Sequence, residues 1–178
     1  MTLNKVDRSR VVSATKEPDC HANRILQHSV YRECYEKIVQ CEKNRIFCHH
    51  DMVHFLNVAR LAEIFNLQED LQISKKLVYG AALLHDIGRF EQYLEGIPHE
   101  EASARIAPSI LRECGYLSEE IDTIVDAISN HRNKDVEKEP NLRGILYRAD
   151  KMSRSCFACA AEAQCDWKKD KKNLQLKY

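Results

Sequence analysis

The sequence predicts an all-α protein, and three observations support that prediction. Apolar residues recur at intervals of three and four, which is the period of an amphipathic helix. No stretch of useful length alternates apolar and polar residues as a half-buried strand does. The 178 residues contain only five glycines and four prolines, so few positions interrupt a helix. A chain of this length buries a substantial core, and we expect one helical domain.

The helical pattern places six helices along the chain. Residues 1–20 are expected to form a flexible lead-in, and the helices begin or run at 23–42, 51–65, 77–86, 98–114, 118 and 141. Asp51 and Ser118 are good N-caps, and Pro98 suits a first helical turn. Pro108 is expected to kink or split the fourth helix. The first helix presents one apolar face, made by Leu26, Val30, Cys34, Ile38 and Cys41.

The third helix organises the rest of the chain because it ends in a His-Asp pair. Its residues Leu77, Ala81 and Leu84 recur at helical spacing and should face the core. Gly88 is expected to stop the helix, since glycine adopts the left-handed conformation at little cost. The imidazole of His85 and the carboxylate of Asp86 then converge near a helix end. Such a pair begins a divalent metal site, although the dipeptide alone favours a buried, hydrogen-bonded His-Asp pair, which is commoner in protein cores.

Other histidines and aspartates lie on the apolar faces or at the ends of the predicted helices. Each one alone fits a hydrogen-bonded core histidine or an aspartate paired with an arginine. Together they come from five helices, and buried imidazoles and carboxylates are costly without a shared partner. One or two metal ions would supply that partner. The residues concerned are His54, His85, Asp86, His99, His131 and Asp150.

Three segments resemble the HD superfamily of metal-dependent phosphohydrolases. His54–Arg60 is similar to that family's first-histidine helix, Ala81–Arg89 to its central signature, and Arg148–Lys151 to its terminal aspartate motif. The resemblance covers residues 45 to 155. It implies an all-helical bundle of about six or more helices, with a domain over 21–155. It also implies a metal held by His54, His85, Asp86 and Asp150.

The resemblance extends to a second metal. In binuclear members, two further histidines between the HD pair and the last aspartate bind a second ion, and the HD aspartate bridges both. His99 and His131 occupy that interval, and Asp86 would be the bridge. The alternative is that both histidines contact substrate phosphate over a single ion.

The implied activity is hydrolysis of a small phosphate ester, nucleotide or dinucleotide by metal-activated water. The ligand set suits Mn, Fe, Co, Ni or Zn rather than Ca. Asp86 and Arg89 are the candidate catalytic residues, and Arg89 and Arg132 the candidate substrate contacts, although a surface ion pair also explains Arg89. A di-iron oxygenase of the same family and a non-catalytic nucleotide sensor are the alternatives. The cyclic-di-GMP phosphodiesterase branch is set aside, since its Gly-Tyr-Pro motif after the third histidine is missing.

A cysteine-bearing segment, 156–178, follows the domain and packs on it or trails it. Cys156, Cys159 and Cys165 offer three thiolates within ten residues. A C-x₂-C pair suits zinc or an iron–sulfur cluster, for which four ligands are expected. Candidates for the fourth are Cys20, Cys48 and His21. Alternatively, the cysteines are small apolar residues of a short amphipathic helix anchored by Trp167.

Charge and hydropathy limit the classes of binding partner that we expect. Lys and Arg balance Asp and Glu at 27 each, so overall charge favours neither a nucleic acid nor a membrane surface. The polar first 18 residues contain no apolar signal core, and no apolar run has the length of a membrane span. We therefore expect a cytoplasmic protein with a small phosphorylated substrate. The oligomeric state stays open, with a homodimer as one option.

Overall fold

The computed structural model describes residues 20–176 and confirms the all-α class. Within that range the backbone forms eight α-helices and no strand. The helices are α1 (Cys20–Gln27), α2 (Ser29–Glu42), α3 (Met52–Gln68), α4 (Lys75–Leu84), α5 (Arg89–Glu95), α6 (His99–Glu113), α7 (Ser118–Asn130) and α8 (Leu142–Met152). The predicted lead-in lies outside the described residues except for Cys20, which begins α1. None of the described helices is long and apolar enough to cross a bilayer.

Helix α4 is the centre of the bundle. It packs against α1, α3, α6, α7 and α8, and its residues from Gly80 to Leu84 are all buried. The small side chains of this stretch let the neighbours approach closely: a Cβ on Gly80 would lie 2.9 Å from Cδ1 of Ile124 on α7. As predicted, Ala81 and Leu84 face the core, while Leu77 is only partly buried against it.

The helix ends close to the predicted position, but a left-handed glycine is not what ends it. The helix ends at Leu84, its C-cap is His85, and Gly88 has φ −88°, which is not left-handed. The glycine is needed for space instead. A Cβ at this position would lie 2.4 Å from the backbone nitrogen of Ser103, and the Gly88 N–H donates to Ser103 Oγ at 2.9 Å. The turn after His85 is therefore held against α6.

The predicted first helix is two helices. The backbone is extended at His28, with φ −66° and ψ 132°, and this separates α1 from α2. The two pieces pack against different partners, because α1 contacts α4 and α2 contacts α5. The predicted single face is correspondingly wrong at Val30, which is exposed, while Tyr31 is buried.

The later helix boundaries are mostly as predicted. Asp51 and Asn141 cap α3 and α8 through their side chains. Helix α6 runs through Pro108 without being split, and Ala107 and Ile110 on either side of the proline are buried in the core. Ser118 is the first residue of α7 rather than its cap. The carboxylate of Glu120 accepts instead from the Leu117 N–H, at 2.7 Å. The short helix α5 was not predicted.

After α8 the chain forms no further α-helix within the described residues. It continues as three 3₁₀ turns, at Cys156–Ala158, Glu162–Gln164 and Lys169–Lys171. The alternative of a short amphipathic α-helix carrying the cysteines is therefore wrong. A fourth 3₁₀ turn, Lys134–Lys138, connects α7 to α8.

Candidate metal centre

Five segments bring the six predicted ligands to one buried place in the bundle. The first turn of α3 and the end of α4 supply three of them, and the other three come from the start of α6, the end of α7 and the last turn of α8. All six residues are at most 6% exposed. They are His54, His85, Asp86, His99, His131 and Asp150.

Four of these residues form a first group whose ligand atoms all lie within 4.8 Å of one another. The Nε2 atoms of His54 and His85 lie 3.6 and 3.4 Å from Oδ2 of Asp86. The same two nitrogens lie 3.6 and 3.8 Å from Oδ1 of Asp150. Two imidazoles and two carboxylates therefore surround one point.

A second group, again within 4.8 Å, shares Asp86 and adds His99 and His131. Oδ1 of Asp86 lies 3.1 Å from Nε2 of His99 and 3.7 Å from Nε2 of His131. Asp86 thus turns one oxygen toward each group. This is the placement that a bridging carboxylate requires.

Three of the four candidate ligand histidines turn Nε2 toward the centre while Nδ1 makes a hydrogen bond outside it. His85 and His131 both stand at a helix end, and Nδ1 of each bonds the carbonyl three residues earlier, Ala82 O at 2.8 Å and Ile128 O at 2.6 Å. Nδ1 of His54 lies 3.1 Å from Ser153 Oγ, whose hydroxyl donates to the Asp150 carbonyl. Because Nδ1 is occupied in each of these rings, Nε2 is the nitrogen that faces the centre and would bind a metal, as in metal-ligating histidines.

The residues present fit a divalent metal. Four ligand atoms of the two groups are buried without a hydrogen-bond partner: His54 Nε2, His85 Nε2 and Asp150 Oδ1 in the first group, and Asp86 Oδ1, which faces the second. Buried polar atoms are rarely left unpaired. A cation in each group would satisfy these atoms, and the mixture of imidazole and carboxylate suits a first-row transition metal.

The electrostatics of the centre also favour a cation. Burial alone would raise the pKa values of Asp86 and Asp150, but the surrounding histidines, with Lys151 and Arg154 near Asp150, hold both well below their usual range. Burial would lower the pKa of His85, and the two aspartates outweigh it and raise that pKa to about 9. The negative charge that attracts a proton here equally attracts a metal ion.

A buried network beside the centre was not predicted. The Glu42 carboxylate accepts from the His50 backbone N–H at 2.7 Å, and it bonds His50 Nδ1 at 2.5 Å and the Tyr93 hydroxyl at 2.6 Å. Burial would raise the pKa of Glu42, but these hydrogen bonds lower it to about 2. His50 turns Nε2 toward Asp86 Oδ2, 3.7 Å away, and receives a hydrogen bond from Arg154 at 3.1 Å. One signal was available: Glu42 follows Ile38 by four on the buried face of α2.

The two candidate substrate arginines have different surroundings. The Arg89 guanidinium lies 3.6 Å from Asp86 Oδ1 and 3.2 Å from both ring nitrogens of His99, and Nε donates to Tyr93. It therefore borders the second ligand group directly. Arg132 is half exposed and pairs with Glu100 at 3.2 Å. Neither makes the ion pair with Glu91 or Glu95 that was the alternative for Arg89.

The cysteines lie outside this centre. Cys156, Cys159 and Cys165 line a separate small pocket, and Cys48 joins them there. Of the other two candidates for a fourth ligand, His21 packs against the ring of Tyr116. The side chain of Cys20 is outside the described residues.

A helical bundle that gathers His, His-Asp and Asp from three helices around one buried point defines a class of metal-binding domain, and comparison with known proteins agrees. The sequence pattern of the HD domain family matches residues 52–155. A protein of Clostridium beijerinckii (strain ATCC 51743 / NCIMB 8052), described as uncharacterized, is 42% identical over 156 residues, covering 88% of this chain and 98% of that protein. This chain belongs to the HD domain family.

A solved structure shares the fold. The crystal structure of a predicted HD superfamily hydrolase from an uncultured Thermotogales bacterium matches with a TM-score of 0.62 and 23% identity. The match covers 86% of this chain and 82% of the other. At this identity the likeness concerns the fold, and it confirms the predicted HD bundle.

Proposed function

We propose that the protein is a metal-dependent hydrolase that cleaves a phosphate ester bond of a small substrate, nucleotide or dinucleotide. The observation that carries this proposal is the convergence of four histidines on two aspartates, with Asp86 between the two groups. The first group would hold one divalent ion and the second group another. When bound, such an ion lowers the pKa of a coordinated water and offsets charge on phosphoryl oxygens.

The chain's own residues would orient the substrate. Arg89 stands at the edge of the second group with 15% of its side chain exposed, so it is available to a phosphate while fixed by Tyr93 and Asp86. A guanidinium binds phosphate oxygens bidentately and stays protonated at any working pH. Arg132, nearer the surface, would reach the substrate only by sharing or leaving its pairing with Glu100.

Burial of the ligands supports the same chemistry. Charged groups in a site with little water interact more strongly than they do in solution. The fixed Nδ1 partners of His54, His85 and His131 keep the imidazoles from rotating, so their nitrogens need not reorganise during a reaction. These features suit stabilisation of charge that develops on a phosphoryl group.

The test is phosphate release by metal-free protein reloaded with Mn²⁺, Fe²⁺, Co²⁺, Ni²⁺ or Zn²⁺, screened against nucleotides, dinucleoside polyphosphates and sugar phosphates. We expect activity with at least one ion, and we expect Asp86→Asn to lower kcat/KM by about 100-fold or more. Asp122→Asn, on the exposed face of α7, is the matched control and should be fully active.

Three outcomes would contradict the proposal. Full activity of Asp86→Asn would remove the metal centre from the reaction. Substrate-dependent oxygen consumption by the iron-loaded protein, with no phosphate released, would favour a di-iron oxygenase. Nucleotide binding without turnover under every metal would favour a sensor.

A further inference from the structure

Four cysteine side chains line one pocket that the HD centre does not use. Cys48 lies in the loop between α2 and α3, and the other three follow α8. Phe47, Glu162 and Lys172 complete the lining around Cys48, Cys156, Cys159 and Cys165. All four cysteines are free thiols. Residues more than one hundred positions apart in the chain thus supply the four donors that a thiolate metal site needs.

The segment that carries three of these cysteines has almost no apolar core of its own. Between residues 156 and 176, only Cys156 and Ala161 are buried, and the backbone forms 3₁₀ turns and irregular structure. Ordering a chain costs about 1–2 kcal/mol per residue. Segments that cannot repay this by burial are commonly fixed by disulfides or metals, so a cross-link to the body of the protein is expected here.

Hydrogen bonds already bring the two ends of this segment together. The Phe157 N–H donates to the Asn173 carbonyl at 3.0 Å, and the Asn173 side chain donates to the carbonyls of Lys151 and Arg154. Lys172 binds Glu162 at 2.9 Å and places its ammonium at the pocket wall. The segment therefore closes into a loop whose three cysteines line one pocket with Cys48 and with Lys172, a cation that would offset thiolate charge.

The spacing of the sulfurs distinguishes two kinds of thiolate site. A single zinc bonds sulfur at about 2.3 Å, and four such sulfurs lie only about 3.8 Å apart in a tetrahedron. Among the described residues, the groups of three or more ligand atoms that meet within 4.8 Å are the two of the HD centre, so no three of these cysteine sulfurs lie as close together as a single zinc requires. In a [4Fe–4S] cluster each cysteine bonds a different iron, and the sulfurs are held farther apart.

We propose that Cys48, Cys156, Cys159 and Cys165 bind a [4Fe–4S] cluster. The cluster fastens the loop before α3 to the segment after α8. Cys48, Cys156 and Cys159 also line the adjoining pocket, together with His54 and Arg154. This adjoining pocket borders the proposed hydrolase centre at His54, but the four cysteines belong to neither ligand group of that centre.

The test is the iron, zinc and acid-labile sulfide content of the full chain, produced with ample iron and purified without oxygen. Only a cluster contains sulfide, so iron bound at the HD centre does not interfere. We expect about four sulfides per chain, together with the visible absorption of a cluster. Cys48→Ser and Cys159→Ser should lose the sulfide, whereas Cys41→Ser, a partly buried cysteine of α2, should keep it.

Several results would overturn the proposal. One is wild-type protein without sulfide, which needs no variant and so does not depend on whether the variants fold. Another is one zinc per chain that disappears in Cys48→Ser. A third is sulfide retained in both cysteine variants. Asp86→Asn should keep the sulfide even if it loses phosphohydrolase activity, so failure here and failure of the proposed function are distinguishable.

Discussion

At the scale of single residues, the hydrogen-bond partner of each histidine Nδ1 atom explains how the ring is oriented in the centre. His85 and His131 each bond the carbonyl of the last helical turn, so their orientation is encoded by position at a helix end. His99 is held differently, through a hydrogen bond between Nδ1 and the side chain of Gln92. In all three residues the second nitrogen, Nε2, faces the centre, and in His99 it also lies 3.2 Å from the Arg89 guanidinium. Such outer contacts fix the tautomer and raise ligand basicity.

His99 is the residue that tests whether two ions bind. Its Nε2 lies 3.1 Å from Asp86 Oδ1 and 3.2 Å from His131 Nε2, and it belongs only to the second group. We expect His99→Gln to reduce bound Mn²⁺ from about two ions per chain to one, because a second-group ion would lose one of three protein ligands. Element-resolved mass spectrometry after dialysis measures this.

The control for His99→Gln is His49→Gln. The His49 side chain is 43% exposed and makes only a distant contact with Glu42, so it should keep the wild-type metal content. If His99→Gln binds as many ions as the wild type, His99 is not a ligand and contacts substrate instead.

At the scale of elements, the spacing of apolar residues predicted which face of a helix is buried. The buried faces of α3, α7 and α8 follow from their apolar spacing, and side chains such as Asp51 and Asn141 marked their starts. The break at His28 was not predictable, because it depends on α1 and α2 packing against different helices. Continuity through Pro108 also depends on tertiary packing, which outweighs one lost hydrogen bond.

The site was predicted unevenly for the same reason. His54, His85, Asp86 and Asp150 stand in segments that resemble a family signature, so they were identified individually, and the structure brings them together. Glu42 and Arg154 were missed as parts of the centre. Both contact His50, which requires the end of α2 and the residues after α8 to lie side by side. No local sequence pattern predicts that tertiary contact.

The contact between the turn after α4 and α6 is an element-scale feature that a single methyl group can test. A Cβ on Gly88 would lie 2.4 Å from Ser103 N and 2.6 Å from Ala102, so Gly88→Ala must push α6 away. We expect a loss of about 1–3 kcal/mol in the free energy of unfolding. We also expect Gly88→Ala to weaken binding of the second-group ion, because α6 carries His99. Denaturant unfolding and metal titration measure the two effects.

Gly96→Ala is the matched control for Gly88→Ala. Gly96 has φ +76°, and a methyl group on its Cα would meet no other atom within 4 Å. Alanine there costs about 1–2 kcal/mol in backbone strain but displaces no helix. It should lower stability without changing metal affinity. Wild-type affinity for two ions in Gly88→Ala would show that the turn and α6 do not set the ligand geometry.

At the scale of the whole molecule, the ligands connect the parts of the bundle that are far apart in sequence. The first group alone joins α3, the end of α4 and α8, and the second adds α6 and α7. In the unfolded chain these residues are spread over almost one hundred positions and form no preorganised site. A metal that binds the centre therefore binds the folded state far better than the unfolded state, and it must stabilise the entire fold.

The last prediction follows from this linkage. At a free Mn²⁺ concentration one hundred times its Kd, binding at one site adds about 2.7 kcal/mol to the free energy of unfolding. For a domain of this size each kcal/mol shifts Tm by about 2–4 °C, so we expect Tm to rise by roughly 5–10 °C between chelator and Mn²⁺. Calorimetry of protein handled without oxygen, with the cysteine site unchanged, measures the shift.

Two variants determine whether that shift originates at the HD centre. Asp150→Asn removes a carboxylate whose Oδ1 is buried without a hydrogen-bond partner, and the Tm of this variant should respond little to Mn²⁺ even if its baseline Tm changes. Asp122→Asn should show the full wild-type shift. An equal response in all three proteins would place the stabilising ion elsewhere, and an unchanged wild-type Tm despite measured binding would mean that the ion does not connect the helices. A shift confined to proteins with Asp150 intact would tie global stability to the same atoms that we propose for hydrolysis.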